Sequence, residues 1–302
     1  MITSEEIRVR TLLYNRTKQD NLITDDVLKY SFAGLYPETL GHFNLDKTQL
    51  IHTKPTMANV PGGWEYEGEI ELEETKPIIN LIKVNNSVIY TLDNFLSATD
   101  CDTLIELMES SGQEAKVSVQ GKTEDDGSYG IGSKRATCWS EDISKEIWDK
   151  LQIFTYNRVF NEKTATDWWP DGKHQFWSPC GVSPLLRFMK YEKNSTHFTH
   201  YDQGYLYPDG IHRTLMSFVI YLTTNDAGGE TQFIDDGQSK VPIWDRNHDD
   251  WTRPTEESEV LYSVKPVQGR ILLFDHSIPH NVQKYIGDNN RIIIRGDIIF
   301  KR

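Results

Sequence analysis

The chain has 302 residues, 37% hydrophobic and 25% charged, which is enough apolar material for one large globular domain with additions and too much for a disordered chain. Its formal net charge of −13 argues against broad phosphate-backbone binding, which needs clustered Lys and Arg, so no nucleic-acid partner is expected. The three cysteines, Cys101, Cys138 and Cys180, are odd in number and far apart, which excludes a disulfide framework and a Cys-based zinc site. No run approaches the ~20 apolar residues of a membrane span, so no membrane partner and a cytoplasmic location are expected.

In chain order, residues 1–85 read as an irregular N-terminal extension with some helix. Ser4 to Tyr30 can be helical, Pro55, Pro61, Gly62 and Gly63 mark a loop, and Glu65 to Glu74 alternates as an exposed strand. The main domain is expected at 86–302. Val88–Leu92 reads as a strand. Ala98 to Ser111 reads as an amphipathic helix capped by Thr99 or Asp100, with Leu104, Ile105 and Met108 at helical spacing. A second helix is expected over Ser140 to Phe154.

Beyond Val182 the pattern changes. LLRFMKYE, SFVIYLT, ETQFID, EVLYSVKP, RILLFDH and RIIIRGDIIF are short runs rich in β-branched and aromatic residues, separated by turn residues such as Asn194, Gly228–Gly229 and Gly269. Helices first and strands afterwards is an α+β order. Many short strands predict a sandwich, jelly roll or barrel. Residues 236–258 read as a polar insert between two strands.

Two imidazoles and one carboxylate on one face of an octahedron leave three positions open, which suits a ferrous ion that must meet O2. Residues i and i+2 of a strand point the same way, so His-x-Asp on a strand delivers two ligands to one side. His200-Tyr201-Asp202 has that spacing between apolar strands, whereas His248-Asp249-Asp250 lies in the polar insert. A distal histidine from a strand packed opposite would complete the set, and His276 and His280 both follow an apolar strand. Downstream stand Arg291 and Arg295. A buried Arg is costly without a partner, and a guanidinium can grip a carboxylate bidentately.

Taken in order, VIYTLDNFLSATDCDTLIELMESSG, GVSPLLRFMKYEKNSTHFTHYD, HRTLMSFVIYLT, AGGETQFI, VKPVQGRILLFDHSIPHN and RIIIRGDIIF resemble the prolyl-4-hydroxylase-like branch of the Fe(II)/2-oxoglutarate dioxygenases. The resemblance implies a double-stranded β-helix (jelly-roll) core with supporting N-terminal helices. It implies a hydroxylase that oxidises an unactivated C–H bond of a prolyl or other side chain, or of an amino-acid-like small molecule, releasing succinate and CO2. The cofactors it implies are Fe(II), 2-oxoglutarate and O2, with ascorbate as a possible addition. It places the iron on His200, Asp202 and His280, and the distal carboxylate of 2-oxoglutarate on Arg291, with Tyr191, Ser217 and Tyr221 as further polar contacts. The paired Gly228 and Gly229 match the family's turn into the next strand, where their role is structural.

Arg135, Trp177 and Tyr205 are candidate substrate-facing residues, Arg135 as a carboxylate anchor, with Trp168 and Trp169 as further aromatic candidates. Trp244 and Trp251 sit on the insert, which reads as a lid. The alternative is a non-catalytic metal- or ligand-binding β-sandwich module, since fold alone does not fix function.

Overall fold

A computed structural model describes residues 54–85, 87–116, 133–156, 163–164, 176–202, 204–205, 207, 212–235, 237, 255–276 and 278–301. The expected helix at 4–30 and most of the 236–258 insert, with Trp244 and Trp251, lie outside them. Trp168 and Trp169 do too.

The elements in chain order are β1 (Gly63–Glu65), β2 (Ile78–Val84), β3 (Ser87–Asp93), α1 (Ala98–Ser110), β4 (Ala115–Lys116), β5 (Ser133–Trp139) and α2 (Glu141–Tyr156). There follow β6 (Lys163–Thr164), β7 (Phe176–Val182), β8 (Leu185–Tyr191), β9 (His197–His200), β10 (His212–Tyr221), β11 (Thr231–Ile234), β12 (Val260–Val264), β13 (Ile271–Asp275), β14 (His280–Val282) and β15 (Arg291–Lys301). Every apolar run expected as a strand after Val182 is one. The division at residue 85/86 falls inside the β2–β3 hairpin, whose strands pair from Ile78↔Asp93 to Val84↔Ser87.

The strands form two sheets. The larger runs β1-β5-β8-β15-β10-β13-β3-β2, with β4, β6 and β7 attached, and the smaller runs β12-β11-β14-β9. Strand alternation divides the core accordingly. On β10, Met216, Phe218 and Ile220 join Leu104 and Met108 of α1 and Ile143, Ile147 and Leu151 of α2 in one cluster. Val219 and Tyr221, one residue out of phase, pack between the sheets with Phe233, Val264 and Val282. On β15 the even positions Ile292, Ile294 and Ile298 face the helices, and Ile293 faces inward. The molecule is a two-sheet jelly roll buttressed by two helices on the outer face of its larger sheet.

Helix α1 is capped two residues before Thr99 and three before Asp100, the cap positions expected. Ser97 is the N-cap: its hydroxyl accepts from the Asp100 amide at 3.0 Å and the Asp100 carboxylate accepts from the Ser97 amide at 3.0 Å, a reciprocal box in which Asp100 replaces the usual Glu. The expected strand over Glu65–Glu74 is corrected. Only its first residue is in a strand, and the segment is strapped across the helices by carboxylates. Asp142, Glu146 and Asp100 accept from the amides of Gly68, Leu72 and Glu73, and Leu72 packs into the helix-side cluster.

Candidate active site

The inner face of the larger sheet is apolar at one end and polar at the other. Its polar end carries Arg135 on β5, Arg187 and Tyr191 on β8, Ser217 on β10, and Arg291, Arg295 and Asp297 on β15. Opposite, the smaller sheet brings two histidines together. His200, the last residue of β9, is paired directly with His280, the first of β14, and their rings lie 4.3 Å apart. Asp202, two residues past the end of β9, lies 3.7 Å from His200 Nε2 and 3.6 Å from His280 Nε2 through its two oxygens. One donor atom from each of the three lies within 4.8 Å of the others. Two expectations are refined. Asp202 belongs to the segment after the strand rather than to the strand itself, and the distal histidine comes from a hydrogen-bonded neighbour in the same sheet rather than from an opposite one.

Backbone carbonyls set the imidazole orientation. His200 Nδ1 lies 2.7 Å from Phe198 O and His280 Nδ1 lies 3.0 Å from Ile278 O. Each Nδ1 donates, so each Nε2 presents a lone pair toward the shared centre. Burial lowers the pKa of both rings, that of His280 to about 3, so both are neutral and open to a cation at physiological pH. Burial alone would raise the Asp202 carboxyl. The Arg295 guanidinium, at 2.7 Å, and then the two histidines outweigh it and hold the carboxyl well below its usual range.

Behind Asp202 stands a chain of charges. Arg295 also lies 3.3 Å from Asp297, which is fully buried; Arg187 reaches Asp297 at 3.3 Å and His276 at 3.2 Å. His276 thus supports the network and is not part of the ligand cluster, which separates it from His280. Ser217 directs its hydroxyl to Asp202 Oδ2. Tyr205 accepts a hydrogen bond from Arg187 at 2.7 Å. Trp177 lies on β7, opposite Lys163 of β6.

Arg291 differs from Arg295 in having no counter-ion among the described residues. It is 0% exposed, and its Nε and Nη1 are buried without hydrogen-bond partners. It lies over the rings of Tyr191 at 4.6 Å and Tyr221 at 5.5 Å, with a long contact of 3.4 Å to Thr231 Oγ1. The Tyr221 hydroxyl donates to that same Thr231 oxygen at 2.7 Å. A desolvated guanidinium held by two aromatic faces and left unpaired is a receptor for an anion.

The turn before β11 makes room for it. Gly229 has φ +74°, and a Cβ there would lie 2.8 Å from Arg291 Cδ and 3.2 Å from the Tyr285 ring. Gly229→Ala is expected to cost about 1–2 kcal/mol of stability for the left-handed backbone. On the expectation from sequence that Arg291 receives the distal carboxylate of 2-oxoglutarate, displacing it should weaken that binding about tenfold and leave metal affinity unchanged. Thermal unfolding and calorimetric titrations of the two ligands check this, and unchanged 2-oxoglutarate affinity would count against the steric argument.

Of the residues that sequence reasoning named, the structure brings His200, Asp202 and His280 together and lays Arg291 over Tyr191. That reasoning missed Arg187, Asp297 and the supporting role of His276, although Arg295 and Asp297 stand two apart on one strand and therefore share a face. His197 was also missed; its ring is 4.4 Å from that of His200.

Comparison with known proteins agrees with the geometry. Residues 186–296 match the model of the 2OG-Fe(II) oxygenase superfamily. No curated protein matches the chain. Among solved structures, the chain is similar to the collagen prolyl hydroxylase of Paramecium Bursaria Chlorella virus-1, in complex with 2-oxoglutarate (16% identity, 71% of this chain and 96% of that one, TM-score 0.39). It is also similar to a prolyl-4-hydroxylase of Pseudomonas putida (16% identity, 71% and 92%, TM-score 0.42). A third is HygX from Streptomyces hygroscopicus with nickel and 2-oxoglutarate bound (12% identity, 70% and 82%, TM-score 0.39). The span from β8 through most of β15, which contains the His-Asp-His cluster, is the part of the chain that is similar to the 2OG-Fe(II) oxygenase superfamily.

Proposed function

We propose that His200, Asp202 and His280 hold Fe(II), that Arg291 binds the distal carboxylate of 2-oxoglutarate, and that the enzyme hydroxylates an unactivated C–H bond of a peptidyl or small-molecule substrate. The observation that carries this reading is the pairing of a three-ligand cluster with a fully buried, unpaired guanidinium. A site that only bound a metal would have no use for Arg291, and this weighs against a non-catalytic β-sandwich module. Two neutral imidazoles and one ionised carboxylate fit a ferrous ion and leave positions open for a chelating cosubstrate.

Bound iron with 2-oxoglutarate supplies the oxidising chemistry: O2 is consumed, 2-oxoglutarate leaves as succinate and CO2, and one oxygen atom enters the substrate C–H bond. The protein's residues orient and exclude. Phe198 O and Ile278 O fix the ring planes, and Arg295 and Ser217 hold Asp202 in place. Tyr191, over which Arg291 lies, offers its hydroxyl to the cosubstrate, while Tyr221 and Ser217 contribute by holding Arg291 and Asp202 respectively. The retained carboxylate ligand favours hydroxylation. No helix among the described residues is long and apolar enough to cross a membrane, and three unpaired cysteines support a reducing, cytoplasmic setting.

The test is succinate formation from 2-oxoglutarate in air with Fe(II) and ascorbate, measured with and without a chelator. Metal-dependent succinate release, rising with a C–H substrate, is expected. Absence of both turnover and metal-dependent 2-oxoglutarate binding would remove the assignment.

A further inference from the structure

Resting on the reading above, a count of charges on the inner face goes one step further. Asp202 and Asp297 are matched by Arg295 and Arg187, and Arg291 is matched by the cosubstrate. That leaves Arg135. It sits on β5, one position before Ala136 and three before Cys138, both of which face the helices, so its side chain stands on the opposite, inner face. Its Nε is buried without a hydrogen-bond partner, and no carboxylate pairs with it among the described residues. The titratable groups that act on it are Arg187 and Arg295, both cations, and the Tyr205 hydroxyl, which acts in the opposite direction. Burial first, and then the two cations, lower its pKa to about 10 against the opposing effect of Tyr205, so it stays charged at neutral pH with no carboxylate among the described residues to neutralise it.

A second orphan stands nearby. His197 Nδ1 is also buried without a partner, its ring touches that of His200, and the charge of Arg135 reaches it. Asn194, at φ +72°, stands in the turn that carries β8 of the larger sheet into β9 of the smaller one. Two buried side chains with unpartnered nitrogens thus lie near one another, one of them against a member of the metal cluster, in a protein whose overall charge is −13. A local surplus of positive charge against that background is costly unless an anion completes it.

We infer that the oxidised substrate carries an acidic group, a carboxylate or a phosphate ester, gripped by the Arg135 guanidinium with His197 as the second donor. This subsite is distinct from the cosubstrate subsite at Arg291 and sets which substrates present a C–H bond to the iron. Arg135 is a specificity residue that touches substrate and takes no part in holding iron or 2-oxoglutarate.

The experiment uses the full chain loaded with Fe(II) and saturating 2-oxoglutarate under anaerobic conditions, so that Arg291 is already filled. Calorimetric titrations then use N-acetylglycine, its neutral amide and inorganic phosphate as probes. Metal-dependent 2-oxoglutarate binding is measured first; its failure would count against the iron and cosubstrate assignment and is read separately. With that in hand, saturable binding of an anion but not of the amide is expected. N-acetylglycine alone points to a carboxylate, phosphate alone to a phosphate ester. Arg135→Gln should weaken that binding at least about tenfold, while Arg135→Lys should recover part of it because it keeps the charge and loses the fork. Both variants should keep wild-type affinity for 2-oxoglutarate, which also reports that they are folded. No anion binding by the loaded wild type, equal binding of the amide, or unchanged anion affinity in Arg135→Gln would each overturn the inference.

Discussion

Replacing Arg291 with methionine is expected to raise the 2-oxoglutarate concentration needed for half-maximal turnover by about 30-fold to a few thousand-fold. The range follows from the loss of one partner of a buried, hydrogen-bonded charge pair, about 2–5 kcal/mol, at roughly 1.4 kcal/mol per factor of ten. Stability should respond differently. In the unliganded protein the guanidinium has no counter-ion among the described residues, two of its nitrogens lack hydrogen-bond partners, and the compensation comes from the rings of Tyr191 and Tyr221, the Tyr191 hydroxyl and a long contact to Thr231. An unbranched apolar side chain of similar length removes the desolvated charge and refills the space. The melting temperature without ligand should therefore hold or rise, while the stabilisation that saturating 2-oxoglutarate gives the wild type disappears. A purely structural Arg291 predicts the reverse: a lower melting temperature and unaltered 2-oxoglutarate response. Thermal unfolding with and without 2-oxoglutarate separates the two.

The sheet core was legible in the chain because its physics is local. RILLFDH and RIIIRGDIIF are dense in β-branched and aromatic residues, both faces of these strands are buried, and Gly269 with φ +78° marks the turn before β13. The metal cluster was legible for a different reason. His200 and Asp202 are close in sequence, and the distal histidine follows one of the strongest strands. The resemblance pointed to His280 over His276 and to Arg291 over Arg295, but the physical difference shows only in three dimensions, because the members of each pair stand four positions apart and differ in what they meet. His276 and Arg295 meet Asp297; His280 meets Asp202, and Arg291 meets no carboxylate among the described residues.

What stayed hidden has physical causes too. Strand β2 is an edge strand, so Ile78 and Leu81 are exposed at 58% and 61% and the alternation that would reveal a strand is absent. Strand β7 contains Pro179 and Gly181, which argue against a strand in sequence and are tolerated beside the register shift at Ile299/Phe300. The strapping of Gly68, Leu72 and Glu73 onto Asp142, Glu146 and Asp100 joins residues up to 74 positions apart, a distance over which local pattern carries no signal.

The charge network behind Asp202 leads to the largest expected effect on stability. Asp297 has no exposed surface and is contacted by Arg187, His276 and Arg295. Asp297→Asn keeps the shape and deletes the charge, leaving Arg187, among the described residues, with the Tyr205 hydroxyl and Arg295 with Asp202 and Ser217. Breaking a buried pair in this way costs about 3–5 kcal/mol, which for a chain of this size lowers the melting temperature by roughly 5–15 °C. The deficit should depend on pH. Burial alone would raise the Asp297 carboxyl, but Arg295 foremost, with His276 and Arg187, holds it below the ordinary value of 3.8. A carboxyl depressed in the folded state contributes stability above its unfolded pKa of about 3.9 and loses it as the pH falls below that value. The gap between wild type and Asp297→Asn should therefore be full at pH 7 and shrink below about pH 4. A gap of equal size at pH 7 and pH 3 would mean that Asp297 acts through its shape and not its charge. Because Arg295 is shared between Asp297 and Asp202, the variant should also bind Fe(II) less tightly at pH 7, since the guanidinium that orients the carboxylate ligand has lost its other anchor.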